Sequence, residues 1–205
     1  MTTIIKGILN RWSASGVIEK EDEDIYEYGL DLILFSILNL IVIFTTAAIF
    51  RKLFESIVLM AAIVPLQAYG GGYHAKTHLR CFLIMYSGWW VVMFILLPLI
   101  STFPATILNI AAVIIVFLLA PVAHVNVTMS ASRRSQLRKY VRITVFAIAI
   151  ISSALIWFVR GGFAIGVVLT VGIGASALSM LIAYCMNRIR QRKARCITRR
   201  CHIAR

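Results

Sequence analysis

The chain has 205 residues, 60% of them hydrophobic and only 14% charged, and its 21 Lys and Arg against 8 Asp and Glu give a net charge of +13. So apolar a composition, gathered into long unbroken blocks, excludes an ordinary soluble domain and leaves a polytopic all-α membrane protein. No internal repeat, no low-complexity linker and no room for a separate soluble domain is found, so residues 1–205 read as one integral membrane domain, and no nucleic-acid partner is expected.

In chain order, residues 1–20 place Ile4, Ile5, Ile8 and Trp12 at helical spacing with Lys6, Asn10 and Arg11 between them. That pattern predicts an amphipathic helix lying at the membrane interface, within a cytoplasmic interfacial segment over residues 1–28. It lacks the uninterrupted apolar region of a cleaved signal peptide. The acidic run "EKEDEDIYE" follows, expected to fold against a basic loop or stay solvated. Leu32 to Phe50 carries no charge and predicts a first span. Ser56 to Tyr73 is also uncharged but holds Pro65, Gln67 and Gly70-Gly71-Gly72, so it reads as a complete span or a re-entrant half-span. The uncharged block from Cys81 to Ser132 is long enough to cross twice, and "PLISTFP" at 98–104 is its natural break. Ile143 to Val159 and Gly161 to Asn187 supply two more spans. The expectation is six, the second being the least defined.

Six spans put the N-terminus, the 73–81 loop, the 125–142 loop and the C-terminal tail on one face. Of the 21 Lys and Arg, only Arg51, Lys52 and Arg160 fall on the other. The asymmetry places the shared face in the cytoplasm. All eight carboxylates lie at or before Glu55, so the face downstream of the first span is a strong cation. Anionic lipid headgroups are the simplest partner for it, above all for the basic tail 188–205.

"GGYHAKTHLRC" at 71–81 holds the chemistry. Cytoplasmic thiols stay reduced, so Cys81, Cys185, Cys196 and Cys201 are read as free. Cys185 is expected to be packed within a span, and Cys196 and Cys201 to be solvated in the tail. Cys81 stands where a polar loop enters a span, with Lys76, Arg80 and two histidines near it in sequence, the setting of a nucleophilic thiolate. The structural alternative is a small apolar residue opening the third span. In a continuous helix, His78 is three residues before Cys81 and shares its face, whereas His74 lies about 10.5 Å away along the axis. Gly70-Gly71-Gly72 makes helix improbable just upstream, so a loop there can also fold His74 onto the thiol. Spacing leaves both histidines open as the base. The triad His74, His78 and Cys81 also has ligand types for zinc, although a hydrolytic zinc site wants a carboxylate base and none follows Glu55. A transporter is the alternative from another class, weakened because the later spans carry no ionisable Asp, Glu, Lys or Arg in their cores.

A glycine pair, then Tyr-His-Ala, then a cysteine seven positions after that histidine at the mouth of a span, resembles the accessory gene regulator B family. Members are membrane cysteine endopeptidases of Gram-positive bacteria that process the precursor of a cyclic quorum-sensing peptide. "LAPVAHVN" at 119–126 adds a softer likeness, and the hydropathy layout extends it over nearly the full chain. The sequence departs from the pattern at Gln67, where members often carry arginine, and at Val127 to Arg134, which reads "VTMSASRR" where they usually continue with Pro-Leu and acidic residues.

The resemblance implies His74 as base and Cys81 as nucleophile, with no cofactor or metal. The thiolate would attack a carbonyl near the C-terminal part of the precursor, and a substrate cysteine or serine would then close a thiolactone or lactone ring from the acyl-enzyme thioester. Gly71 and Gly72 are candidates for presenting N–H groups to the oxyanion, and Gln67 for donating to it or lining the cavity. The implied substrate has an amphipathic leader and an acidic C-terminal part, for which Lys76, Arg80, Arg133, Arg134 and Arg138 are the candidate holders. Asp31, His124 and Asn126 are further residues that the layout places at the same face, and the likeness favours a homodimer.

Overall fold

A computed structural model describes residues 2–16, 23–73, 77–122 and 130–203. Eight α-helices and one π-helical turn account for nearly all of them: α1 (Thr2–Ala14), α2 (Glu23–Ile49), α3 (Leu53–Gly70), α4 (His78–Val91), the π turn Val92–Leu96, α5 (Leu97–Leu99), α6 (Thr102–Leu119), α7 (Ala131–Trp157) and α8 (Phe163–Ile203). Among the described residues six stretches are long and apolar enough to cross a membrane: Gly29–Ile49, Leu53–Gly70, Leu79–Leu99, Thr102–Leu119, Ala131–Trp157 and Phe163–Arg190. The protein is therefore an all-α, multi-pass membrane protein. The doubtful second span is a complete helix of 18 residues. At 1.5 Å per residue it is about 27 Å long, close to the hydrocarbon thickness, and Pro65 sits inside it without ending it.

The chain forms two compact units, Met1–Arg51 with Ala75–Gly88, and Lys52–His74 with Trp89–Arg205. In the first unit, α1 is helical as its periodicity requires. Ile5 and Leu9, one turn apart, are buried against Leu30 and Leu34 of α2, while Trp12 remains exposed. The apolar stripe thus has a protein partner along its Ile5–Leu9 edge. Two polar contacts join α2 to α4: Asn39 Nδ2 donates to Met85 Sδ at 3.3 Å, and the Thr46 and Tyr86 hydroxyls stand 3.4 Å apart.

In the second unit α8 is the shared neighbour of α3, α6 and α7. The core gathers Leu66, Ala112, Val116, Ala120, Val141, Val145, Ile173, Ala177 and Met180. Lipid tails are as apolar as these side chains, so close packing and interhelical hydrogen bonds, more than water exclusion, favour this association. Small residues on α8 permit it: a Cβ on Gly166 would stand 2.9 Å from the Ser152 carbonyl oxygen, and one on Gly172 2.8 Å from Ala62 Cβ. At the same end as Gly166, Asn109 Nδ2 faces Ser152 Oγ (3.2 Å), Ser153 Oγ (3.3 Å) and the Ala149 carbonyl (3.3 Å). Ser152 Oγ in turn donates to the Gly166 carbonyl at 2.9 Å and lies 2.6 Å from Thr170 Oγ1. One buried polar knot thereby links α6, α7 and α8.

The break at "PLISTFP" is confined to Ile100 and Ser101, both extended. Pro98 follows the π turn, whose wider hydrogen-bond spacing accommodates a residue that has no N–H and crowds the carbonyl four residues back. Pro104 lies in the first turn of α6, where its missing N–H costs nothing. No Gly or Pro interrupts residues 188–203, and α8 runs as one helix of 41 residues to Ile203, about 60 Å, roughly twice the hydrocarbon thickness.

Removing the centre of the polar knot leaves Asn109 and Thr170 short of partners in a dry interior. Ser152→Ala is expected to lower stability by about 1–3 kcal/mol, read as a lower thermal unfolding midpoint in detergent, and Ser153→Ala by less.

Candidate functional site

The site begins where α3 ends. Gly71 caps the helix with φ +71° and ψ −177°, its N–H donating to the Gln67 carbonyl at 2.9 Å. A Cβ there would strike the Val122 carbonyl oxygen as well as strain the backbone. The Gly70 carbonyl accepts the Val122 N–H at 2.8 Å. Beyond it, the Tyr73 N–H donates to Ser179 Oγ on α8 at 2.9 Å, and a Cβ on Gly72 would stand 2.7 Å from that same oxygen. The glycine run is therefore a close backbone approach to two neighbours, the 120–122 segment and α8, and not a slack hinge. Gln67 is half-buried on the last turn of α3, its Cγ 3.9 Å from where a Gly72 Cβ would be. Because the Gly71 N–H is already used as the helix cap, Gly72 is left as the candidate oxyanion donor of the pair.

In the other unit, α4 starts at His78. Thr77 is its cap: the Thr77 side-chain oxygen accepts the Arg80 N–H at 3.4 Å, and the Thr77 carbonyl accepts the Cys81 N–H at 3.1 Å. Cys81 therefore lies on the first turn of a helix, half-buried and free, beside exposed Arg80. Asp31 is half-buried on α2 of the same unit. His74, Lys76, His124 and Asn126 lie outside the described residues, as do the side chains of His78, Cys196 and Cys201. The proposed zinc triad thus has only its cysteine described. Cys185 corrects an expectation: it is exposed, not packed, because it falls on the outer face of α8 two residues after buried Ala183.

Arg133, Arg134 and Arg138 are all exposed on the first two turns of α7, which Ser130 caps by accepting the Arg133 N–H at 3.3 Å. Bases at a helix N-terminus oppose the macrodipole, so their concentration here is unfavourable for the helix itself. Arg142 differs from the rest of the cluster. It is half-buried with its guanidinium 3.9 Å from the Phe117 ring centroid.

The model of one family, accessory gene regulator B, matches residues 3–189. The chain belongs to the accessory gene regulator B family. No curated protein and no solved structure matches it. AgrB-family proteins are of peptidase type and take part in processing the precursors of quorum-sensing peptides. Within this AgrB-family chain, the two short stretches that carry the sequence likeness are not independent: Val122 of "LAPVAHVN" donates to Gly70, immediately before "GGYHAKTHLRC". Sequence reading missed Ser179, which lies in the run of small residues "GASALS", a pattern that marks close helix packing without saying against what.

Gly71→Ala is expected to displace the 120–122 segment and lower the unfolding midpoint. Gly88→Ala, on α4 with open space around it, should be neutral or stabilise by up to about 1 kcal/mol through helix propensity. Thermal unfolding of both variants in one detergent checks the contrast.

Proposed function

We propose that this protein is a membrane-embedded cysteine endopeptidase in which His74 and Cys81 form a thiolate–imidazole dyad. The observation that carries the reading is the start of α4. Helical spacing set His74 two turns from Cys81 only if the helix ran through both, but Thr77 caps the helix and His78 begins it. Because the described helix begins at His78, the helical-rise argument against His74 as the base does not apply. Cys81 in turn lies on the first turn of α4, where the helix dipole places partial positive charge.

In this mechanism His74 takes the Cys81 proton and the sulfur attacks one peptide carbonyl of the precursor. The imidazolium then protonates the leaving amine, which leaves an acyl-enzyme thioester. The Gly72 N–H and the Gln67 amide are the donors for the tetrahedral oxygen, each worth about 3 kcal/mol if aligned. A cysteine or serine of the substrate then displaces Cys81 and closes the ring; thiol–thioester exchange keeps the acyl bond energy that hydrolysis would dissipate. Placing the thioester at a membrane limits water access.

Six spans put both termini, the 73–81 loop and the start of α7 on one face, and the excess of bases makes that face cytoplasmic. A precursor with an amphipathic leader and an acidic C-terminal part suits it, with Lys76, Arg80, Arg133, Arg134 and Arg138 as its charge partners. A homodimer in the cell membrane is part of this reading.

Purified protein in nanodiscs, mixed with candidate precursors that carry an internal Cys or Ser and an acidic tail, is followed by mass spectrometry. Cys81→Ala should abolish cleavage, and His74→Ala should lower it about 10²–10⁴-fold. Loss with His78→Ala but not with His74→Ala overturns the base assignment, and inhibition by a zinc chelator without sensitivity to thiol alkylation overturns the dyad. Charge reversal of Arg133 and Arg134 should weaken precursor binding and flatten its salt dependence; unchanged salt titrations remove their role.

A further inference from the structure

We infer that Arg142, on the rim between α6 and α7, is the centre of a binding site for one anionic phospholipid, which sets its phosphate on the guanidinium and its chains along Phe117 and Phe146. Every residue concerned belongs to the second unit, and nothing in the inference depends on the dyad. Three helices set the level. α3 is about as long as the hydrocarbon is thick and ends at Gly70, where a Cβ would stand 3.4 Å from Val141 Cγ2. α6 is also 18 residues long and ends at Leu119, two residues after Phe117. The uncharged stretch of α7 starts at Ile143. Arg142 therefore stands where headgroups meet chains.

Its contacts leave the charge unbalanced. The guanidinium lies 3.9 Å from the centroid of the Phe117 ring, which in turn meets Phe146 edge-on at 5.9 Å. Nη2 donates at the surface to the Phe117 carbonyl at 3.5 Å, an oxygen that α6 itself leaves open because the residue four positions on is Pro121, which has no N–H. Nε is buried with no hydrogen-bond partner among the described residues. The one carboxylate side chain of the unit, Glu55, is paired with Lys52 at the far end of α3, about 22 Å from Gly70 along the axis. A half-buried cation held by one long neutral contact and one ring still wants an anion. Stacking on Phe117 fixes the guanidinium plane, so its fork is already set for the paired oxygens of a phosphate. Arg138, one turn earlier on the same side of α7, is exposed and adds a second base. On the hydrocarbon side, Phe117, Phe146 and Ile114 are exposed apolar surface. A phosphate joined to acyl chains satisfies the cation and covers those side chains together; an acidic peptide satisfies only the cation.

The test uses the full chain in an uncharged detergent, dioleoylphosphatidylglycerol as the probe, and native mass spectrometry to follow the first lipid bound. Arg142→Gln should weaken that first binding about tenfold and Arg138→Gln about threefold. Arg142→Lys, which keeps the charge but loses the fork, should fall between the parent and Arg142→Gln. The phosphatidylcholine analogue, whose choline offsets the phosphate charge, should bind the parent more weakly. Arg190→Gln removes an exposed base of α8 with the same change in net charge and should bind like the parent. Equal losses for Arg142→Gln and Arg190→Gln mean diffuse attraction and overturn the inference. Inorganic phosphate that displaces the lipid at the lipid's own concentration makes the ligand a free anion, and a hexaglutamate peptide that binds more tightly than the lipid and needs Arg142 makes it a peptide; either result overturns the inference. Should Arg142→Gln not fold, Phe117→Leu keeps the apolar bulk and removes the stacking, and a first-lipid affinity equal to the parent's in that variant overturns it.

Discussion

A helix end leaves carbonyl groups without intrahelical partners, and the arrangement at the end of α3, where Gly70 is buried, follows from the need to satisfy them. Glycine at 71 turns the chain so that its own N–H closes on Gln67, and the Gly70 carbonyl is left for the Val122 N–H. Those two bonds require the 120–122 segment to lie against the glycine run with no side chain between them. Each glycine is thus a consequence of a carbonyl that needed a partner. The sequence feature that looks most flexible is among the most constrained places in its unit.

Two places on α8 solve the same problem by opposite means. Near Gly166, side chains do it: Asn109, Ser152 and Thr170 form a closed polar knot, which fixes α6, α7 and α8 without exposing a reactive group. Near Ser179, backbone does it, and the one side chain involved offers an oxygen to an N–H. A knot of side chains holds helices; a tie to backbone holds a loop.

Much of the fold was legible because hydrocarbon thickness sets the length of apolar blocks directly. The span boundaries near Leu53, at Ile100–Ser101 and near Trp157 follow from charge and proline alone. Residues 56–73 were ambiguous because proline and glycine signal a break in water, whereas in a bundle neighbouring segments satisfy the groups they free, as Val122 does for Gly70. The helical tail was missed because a polar basic sequence carries no apolar period, yet it contains no breaker either. At the site, chemistry-bearing types were readable from "GGYHAKTHLRC", but which donors were already committed was not. That the Gly71 N–H is spent on the α3 cap, and that Tyr73 is tied to a residue more than a hundred positions later, are facts of tertiary contact to which local sequence is blind. Cys185 misled for a related reason: apolar surroundings in sequence mean packing in a soluble protein but lipid in this one.

The charge distribution closes the argument about recognition. The unit that carries Arg133, Arg134, Arg138 and the basic end of α8 holds one carboxylate, Glu55, and that is bound to Lys52 at 3.2 Å. The described exposed bases of α7 have no other carboxylate in their unit, and on the reading proposed above anionic lipid headgroups would be attracted to them at roughly 1 kcal/mol per base. The acidic precursor proposed above would displace those headgroups instead of meeting bare cations, and its net gain per charge is correspondingly smaller. Charge then concentrates the peptide at the face without selecting the bond to be cut. In the reading proposed above, selection falls to geometry, beginning with the reach of the Cys81 sulfur from the first turn of α4.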